Sequence, residues 1–446
     1  MCGIVGYIGK RQVFPILIKG LKRLEYRGYD NAGVAMINDN GDLSVYKTKG
    51  KVADLERFCE DKDISGTVGI AHTRWATHGE PSSVNAHPHY SESKNIAIIH
   101  NGIIENYADL KKKLVADGVK FRSDTDTEVI VQLIEYIQTR KNVDLLTAVR
   151  FALTQLIGAY AIAVLDKRDK DQIIAARKQS PLVIGIGEDE FFLGSDATPI
   201  IEYTDKVVYL DDDNIAVIRR GEDLKVVNTL NDTLNPEVCT VDLDLGQIEK
   251  GGFPHFMLKE IFEQPRAFGD TLEGVEGITP TLFGKEAEEV FKDVNRVLII
   301  ACGTSFYAGL TAKYGLEAVA GMPCDVEVAS EYRYREPVTD PKTLVVTVSQ
   351  SGETADTIAA LKFAKSRGMA KTLAVCNVAQ SALVRESLLH YITRAGVEIG
   401  VASTKAFTTQ LAALYLLTLV FAKLRGRLDE KAEAEALTRL RHVPTA

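Results

Sequence analysis

Short runs of branched aliphatic residues recur through the first half of the chain: Ile4-Val5, Val34 to Ile37, Ile96 to Ile99, Tyr160 to Leu165, Val183-Ile184, Val207-Val208 and Ile215 to Ile218. Such side chains suit a pleated surface, so these runs predict strands. Between them, Ile130, Leu133, Ile134 and Ile137 follow the spacing that puts one apolar stripe on a helix. Strands in bursts with helices grouped between them predict α+β layers with antiparallel sheets. After Val238 the pattern changes. Gly246 to Phe256 carries Gly251-Gly252 and Pro254 and reads as a connector before a helix from about Met257. Beyond it, Val297 to Ile300, Leu344 to Val348 and Thr372 to Val375 are continuous apolar runs, each followed by a polar turn and a helical stretch, which predicts a parallel α/β domain. Leu411 to Ala422 is apolar but only twelve residues long, so it reads as a buried helix and not as a membrane span. The helical segment Asp429 to Leu440 follows it. The expected division is a first domain at 2–238, a linker at 239–256 and a second domain at 257–446.

Length agrees with that division, since 446 residues at about 150 per unit give two or three domains. With 46% hydrophobic and 26% charged residues the chain can bury substantial cores. A net charge of -8 without a basic block argues against a general affinity for nucleic acid or an anionic membrane. The start has no basic n-region or long apolar run, which points to a cytoplasmic protein. Six cysteines without a CxxC pair read as reduced thiols, five of them as small buried hydrophobes.

Cys2 is the exception. If Met1 is removed, thiol and α-amine share one residue, and an amine titrating near about 7.7–8.0 can take the thiol proton directly or through one water. An isolated Met-Cys start would be merely a small terminal residue, so the neighbours must decide. Cys2-Gly3-Ile4-Val5-Gly6 puts the sulfur at the head of a strand. That start, with Arg27-Gly28-Tyr29-Asp30, Thr73 to Gly79, His100-Asn101-Gly102 and Ser123 to Glu128, resembles the N-terminal-nucleophile class of glutamine amidotransferases. The resemblance implies an αββα sandwich, with Cys2 attacking the glutamine side-chain amide to release ammonia and leave a thioester for water. It also implies that Asn101 and Gly102 form the oxyanion hole, through an amide side chain and a backbone N–H. Arg74 would grip the substrate carboxylate and Asp126 its ammonium. Trp75, Thr77 and His78 would belong to a loop over the glutamine. Taken alone, Arg74 and Asp126 read as ion-pair partners and Trp75 as a core aromatic. His72, His78, His87, His89 and His100 crowd one region, but without a matching zinc-spaced ligand set they read as hydrogen-bonding and packing residues. No metal and no cofactor are expected.

In the second domain, Ala301 to Ser305 and Ser349 to Thr354 are polar turns after buried strands, the latter with three hydroxyls, a glycine and an oncoming helix N-terminus. A Ser/Thr-rich turn can equally be a helix cap. Both turns, with Val401 to Lys405, resemble the sugar isomerase (SIS) fold, an α/β domain with a parallel sheet. That resemblance assigns Ser349, Gln350, Ser351 and Thr354 to phosphate, Thr304 and Ser305 to the first loop, and Val401 and Ser403 to sugar contacts. Glu398 reads as structural or as a hydroxyl acceptor. Lys405 could neutralise an anion or simply sit exposed at a helix end.

The two halves, joined by Lys250 to Ile261, resemble the glutamine–fructose-6-phosphate aminotransferase family, which uses L-glutamine and fructose 6-phosphate to make glucosamine 6-phosphate and passes ammonia between its sites. That family has a second SIS repeat and a C-terminal tail carrying the Schiff-base lysine. Neither is found before Ala446, so glutamine hydrolysis is expected of these 446 residues and synthesis of the amino sugar is not. A sugar-phosphate-sensing or interaction module without catalysis, or another class of glutamine amidotransferase, remains an alternative. The apolar helix Leu411 to Ala422 would need cover from another repeat or subunit, and a homodimer is expected.

Overall fold

The computed structural model of the chain describes residues 2–25, 30–75, 80–241, 246 and 249–445. They form two compact units, 1–248 and 249–446. The first unit contains two antiparallel sheets. One runs Cys239–Thr240, Lys206–Tyr209, Val183–Ile186, Phe191–Gly194, Gly3–Ile8, Val68–Arg74, Asn31–Ile37, Leu43–Lys49. The other runs Thr233–Leu234, Lys225–Val227, Ile215–Arg219, Asp169–Lys178, Gly158–Asp166, Ile96–Ile104, His89–Tyr90. Cys239 and Thr240 pair with Val207 and Lys206, so the sheet continues past the domain end expected at Val238.

Alternation along each strand builds the layers. Ile4, Ile8, Val68 and Ile70 from one sheet meet Ala97, Ile99, Ala161 and Ala163 from the other in an inner core. Val5, Tyr7, Val34 and Met36 point outward against helix Val13–Leu24. Ile96, Ile98, Ile162 and Val164 point outward on the second sheet against helices Asp126–Lys141 and Leu145–Leu153. The result is an αββα sandwich of the N-terminal-nucleophile type. Each fully buried Ile, Leu or Val in it stabilises by about 1.5–3 kcal/mol, which makes the strand ends a rigid mount.

The second unit has one parallel sheet, in the order Cys324–Val328, Arg296–Ala301, Thr343–Ser349, Thr372–Cys376, Leu389–Ile392. From Arg296–Ala301 the chain crosses one way to Cys324–Val328, then returns to the other side at Thr343–Ser349. That reversal opens a crevice at the carboxyl ends of the two central strands, where open α/β sheets bind ligands.

Helix Lys405–Leu424 is twenty residues long, because Lys405, Thr408, Thr409 and Gln410, polar but buried or half-buried, continue it before the apolar stretch with Ala406 and Phe407, and Lys423 and Leu424 close it. Length and composition would therefore suffice for a membrane span. Its apolarity is accounted for otherwise: Leu414, Leu416, Leu417 and Phe421 lie in the core of this unit.

Candidate functional site

Alternation brings the chemistry of the first unit to one end of the sandwich. His72 shares the inner face of its strand with Val68 and Ile70, and Asn101 shares that of its strand with Ala97 and Ile99. Cys2, two residues before Ile4, stands at the mouth of the same layer. The Trp75 backbone N–H donates to Cys2 Sγ at 3.3 Å, and the thiol lies 3.6 Å from the Trp75 carbonyl oxygen. Burial pushes the Cys2 thiol up from its ordinary value; the Trp75 N–H and the Arg74 guanidinium oppose this, and Asp126 adds to it. At rest the sulfur is held as a thiol, so an attack on carbon needs a base.

Asn101 Nδ2 donates to the Cys2 carbonyl at 3.1 Å and to Ser195 Oγ at 3.0 Å. Its amide is therefore engaged beside Cys2 in this state. Gly102 has φ +135°, and a Cβ there would lie 2.0 Å from the Ala159 carbonyl oxygen, so only glycine fits. Asp126 opens its helix behind the Thr125 cap, which accepts the Glu128 N–H at 3.3 Å. The Glu128 carboxylate in turn accepts from the Arg122 and Ser123 N–H groups at 2.9 and 2.6 Å. That locked turn holds Asp126, whose Oδ2 accepts from Ile104 N at 2.8 Å. Arg74 is buried at its strand end and interacts electrostatically with Cys2, Asp126 and Asp30.

Structure thus brings Cys2, Arg74, Asn101, Gly102 and Asp126 to one end of the sandwich. The Trp75 side chain is 44% exposed, which is not a core position. Thr77 and His78, with Arg27, Gly28 and Tyr29, lie outside the described residues. Ser195 was not anticipated. Its hydroxyl also accepts the Ile4 N–H at 2.7 Å, joining the start of the first strand to Asn101.

His72, His87, His89 and His100 are buried, His72 stacking on His87 with ring centroids 4.2 Å apart. His89 Nε2 lies 3.0 Å from Thr125 Oγ1 and His100 Nδ1 lies 2.9 Å from Thr127 Oγ1, one residue to either side of Asp126. Burial lowers the pKa of all four, His72 to about 3 from an ordinary 6.5. The folded state refuses protons that the unfolded chain accepts, so the stability these rings contribute is complete above pH 6.5 and is lost as pH falls, for His72 toward about 3. His72 alone can contribute up to about 1.4 kcal/mol per pH unit in that window. Urea unfolding followed by circular dichroism should show the first unit weakening steeply from about pH 6.5 to pH 5; a flat profile there would contradict neutral burial.

In the second unit the expected sugar-phosphate residues divide into three groups. Ser349 ends its strand, and its Oγ accepts the Gly352 N–H at 3.0 Å and lies 3.2 Å from Thr354 Oγ1. Ser351 Oγ accepts the Glu353 N–H at 3.2 Å, and Thr354 precedes helix Ala355–Ser366. Gln350 accepts the Asn377 N–H on its carbonyl at 3.3 Å. This turn, ringed with hydroxyls at a helix N-terminus, suits a phosphate. Thr304 and Ser305 open helix Gly303–Ala318 after the adjacent strand, Thr304 exposed and Ser305 buried.

Val401 and Ser403 sit on a separate segment. Glu260 holds it by accepting from Ile399 and Gly400 N–H groups at 2.6 and 2.9 Å. Glu398 accepts from Thr404 N at 2.8 Å, Ala406 N at 3.1 Å and Ser403 Oγ at 2.9 Å, a helix-capping role. Val401 is 83% exposed, whereas Lys405 is buried with Nζ 2.6 Å from Glu263. Lys405 is therefore neither exposed nor available to an anion.

Gly352 has φ +66°, and a Cβ would lie 2.1 Å from Ser381 Oγ and 2.7 Å from Cys376 Sγ. Gly352→Ala adds backbone strain of roughly 1–2 kcal/mol to that clash. Calorimetric titration with fructose 6-phosphate should show affinity at least about tenfold weaker; unchanged affinity would mean the turn does not hold the ligand.

Residues 54–230 match the family model for a glutamine amidotransferase domain, and residues 290–420 that for a SIS domain. The chain is 60% identical over 448 residues to glutamine–fructose-6-phosphate aminotransferase (isomerizing) of Bacteroides thetaiotaomicron, covering 100% of this chain and 73% of that protein. Its counterpart in Bordetella parapertussis is 54% identical over 451 residues, with the same 100% and 73% coverage. That of Pseudomonas putida is 50% identical over 449 residues, again with 100% and 73%.

Proposed function

This chain belongs to the glutamine–fructose-6-phosphate aminotransferase (isomerizing) family, and we propose that Cys2 is the nucleophile that releases ammonia from L-glutamine for the amination of fructose 6-phosphate. The observation carrying the reading is Cys2 at the open end of the sandwich, with the Trp75 N–H on its sulfur and the Asn101 amide on its carbonyl. Arg74 binds the glutamine carboxylate and Asp126 its ammonium, and Trp75 forms part of the cover. The α-amine of Cys2 takes the thiol proton, sulfur attacks the side-chain amide carbon, and Asn101 Nδ2 and Gly102 N–H receive the developing oxyanion. The α-ammonium returns that proton to the amide nitrogen, collapse expels ammonia and leaves a glutamyl thioester, and water cleaves this to glutamate and the free thiol.

In the second unit, Ser349, Gln350, Ser351 and Thr354 hold the phosphate, with Thr304, Ser305, Val401 and Ser403 around the sugar. A diazoketone analogue of glutamine tests the reading: it should alkylate Cys2, with protection by glutamine. Labelling confined to another cysteine would overturn it.

We also propose that this two-domain chain forms a cytoplasmic homodimer. None of the six cysteines forms a disulfide, as suits a reducing compartment, and Tyr307 and Tyr314 are 61% and 74% exposed on one helix. Analytical ultracentrifugation tests the dimer, and a monomer at micromolar concentration would exclude it.

A further inference from the structure

Asn101 can serve as an oxyanion donor only if its NH2 end, and not its oxygen, faces the nucleophile. A reversed amide would present negative charge to negative charge. We propose that His72 is the positioning residue that sets this orientation, by donating from Nε2 to Asn101 Oδ1; the inference rests on the oxyanion role of Asn101 given above.

Acceptors that have no hydrogen to give decide which atoms face His72. His72 Nε2 lies 3.0 Å from the His100 carbonyl oxygen and 2.9 Å from the Asn101 amide. A carbonyl only accepts, so the ring proton sits on Nε2. The ring is fully buried and neutral, with one proton, and His72 Nδ1 has no hydrogen-bond partner among the described residues. The amide atom facing Nε2–H is therefore the oxygen, and Nδ2 is turned toward the Cys2 carbonyl and Ser195 Oγ. His87, stacked at 4.2 Å, fixes the plane of the His72 ring, and the two strands that carry His72 and Asn101 belong to different sheets. His72 thus sets an amide across the inner layer of the sandwich without touching substrate.

Removing the donor by His72→Phe leaves Oδ1 buried without a partner and frees the amide to turn over. Glutaminase kcat should fall, by no more than the roughly 10²–10³-fold lost when the oxyanion donor itself is removed, with KM for glutamine little changed. His72→Gln, which keeps an N–H donor, should recover most of the rate. In an Asn101→Ala background, His72→Phe should have no further effect on kcat, because the group through which it acts is gone.

If Asn101→Ala costs rate but the two losses simply multiply, the positioning role is refuted while the role of Asn101 stands. If Asn101→Ala leaves kcat intact, the oxyanion reading falls and the inference falls with it. A readout on unmutated protein covers the case in which His72→Phe does not fold. In protein labelled with nitrogen-15 histidine, the resonances that disappear in His72→Gln should report a neutral ring protonated at Nε2. Protonation at Nδ1 would overturn the proposal outright.

Discussion

Cys2→Ala is expected to abolish glutamine hydrolysis, lowering kcat for ammonia release by about 10⁴-fold or more, as removal of a covalent nucleophile does elsewhere. The reason is local. Within the first unit no other cysteine is placed with it: Cys59 is buried and Cys239 lies at a sheet edge. Burial holds the Cys2 thiol protonated at rest, so the rate should depend on a base that can accept its proton. Alanine removes the sulfur without adding bulk where the Trp75 backbone closes over it, and circular dichroism should be unchanged. Residual turnover would come only from water attacking glutamine bound beside Asn101 and Gly102. A variant retaining even a tenth of the rate would mean that another group forms the covalent bond.

Asn101→Ala should lower kcat by roughly 10²–10³-fold, equivalent to about 2.7–4 kcal/mol of transition-state stabilisation. Glutamine KM should move much less, because the amide oxygen is neutral in the ground state and charged only as the tetrahedral centre forms. Three partners lose bonds at once, since Nδ2 reaches both the Cys2 carbonyl and Ser195 and Oδ1 accepts from His72. Ser195 still holds Ile4 N–H at 2.7 Å, so the first strand should keep its position. Steady-state kinetics distinguishes the outcomes: a rise in KM at constant kcat would make Asn101 a substrate-binding group instead.

Local sequence carried much of this architecture. Alternation in Ile4, Val5, Tyr7 and Ile8 separates the two faces of the first strand, and the spacing of Ile130, Leu133, Ile134 and Ile137 marks a buried helix face. The continuous run Leu344 to Val348 likewise becomes a central parallel strand buried on both sides. What local patterning misses is polar burial and distant pairing. Helix Lys405–Leu424 begins well before its apolar run because Lys405 is neutralised by Glu263 and Thr408 donates to Gln264, partners more than a hundred residues away. Ser195 is a single serine with no motif around it. It reaches Ile4 only because Phe191–Gly194 pairs antiparallel with Gly3–Ile8. The histidine crowd was visible, but not its division of labour: His72 bonds Asn101, while His89 and His100 brace Thr125 and Thr127 beside Asp126. Strand parity decides this, since His100 and Asn101 are neighbours in sequence yet face opposite sides of their sheet.

The most direct test of the account compares glutaminase kcat of protein whose amino terminus is Cys2, verified by intact mass, with protein carrying an uncleavable extension before it. The extension, by turning the α-amine into an amide that cannot accept a proton, should remove nearly all ammonia release while glutamine still protects against alkylation. Full-rate hydrolysis by the extended protein would contradict it.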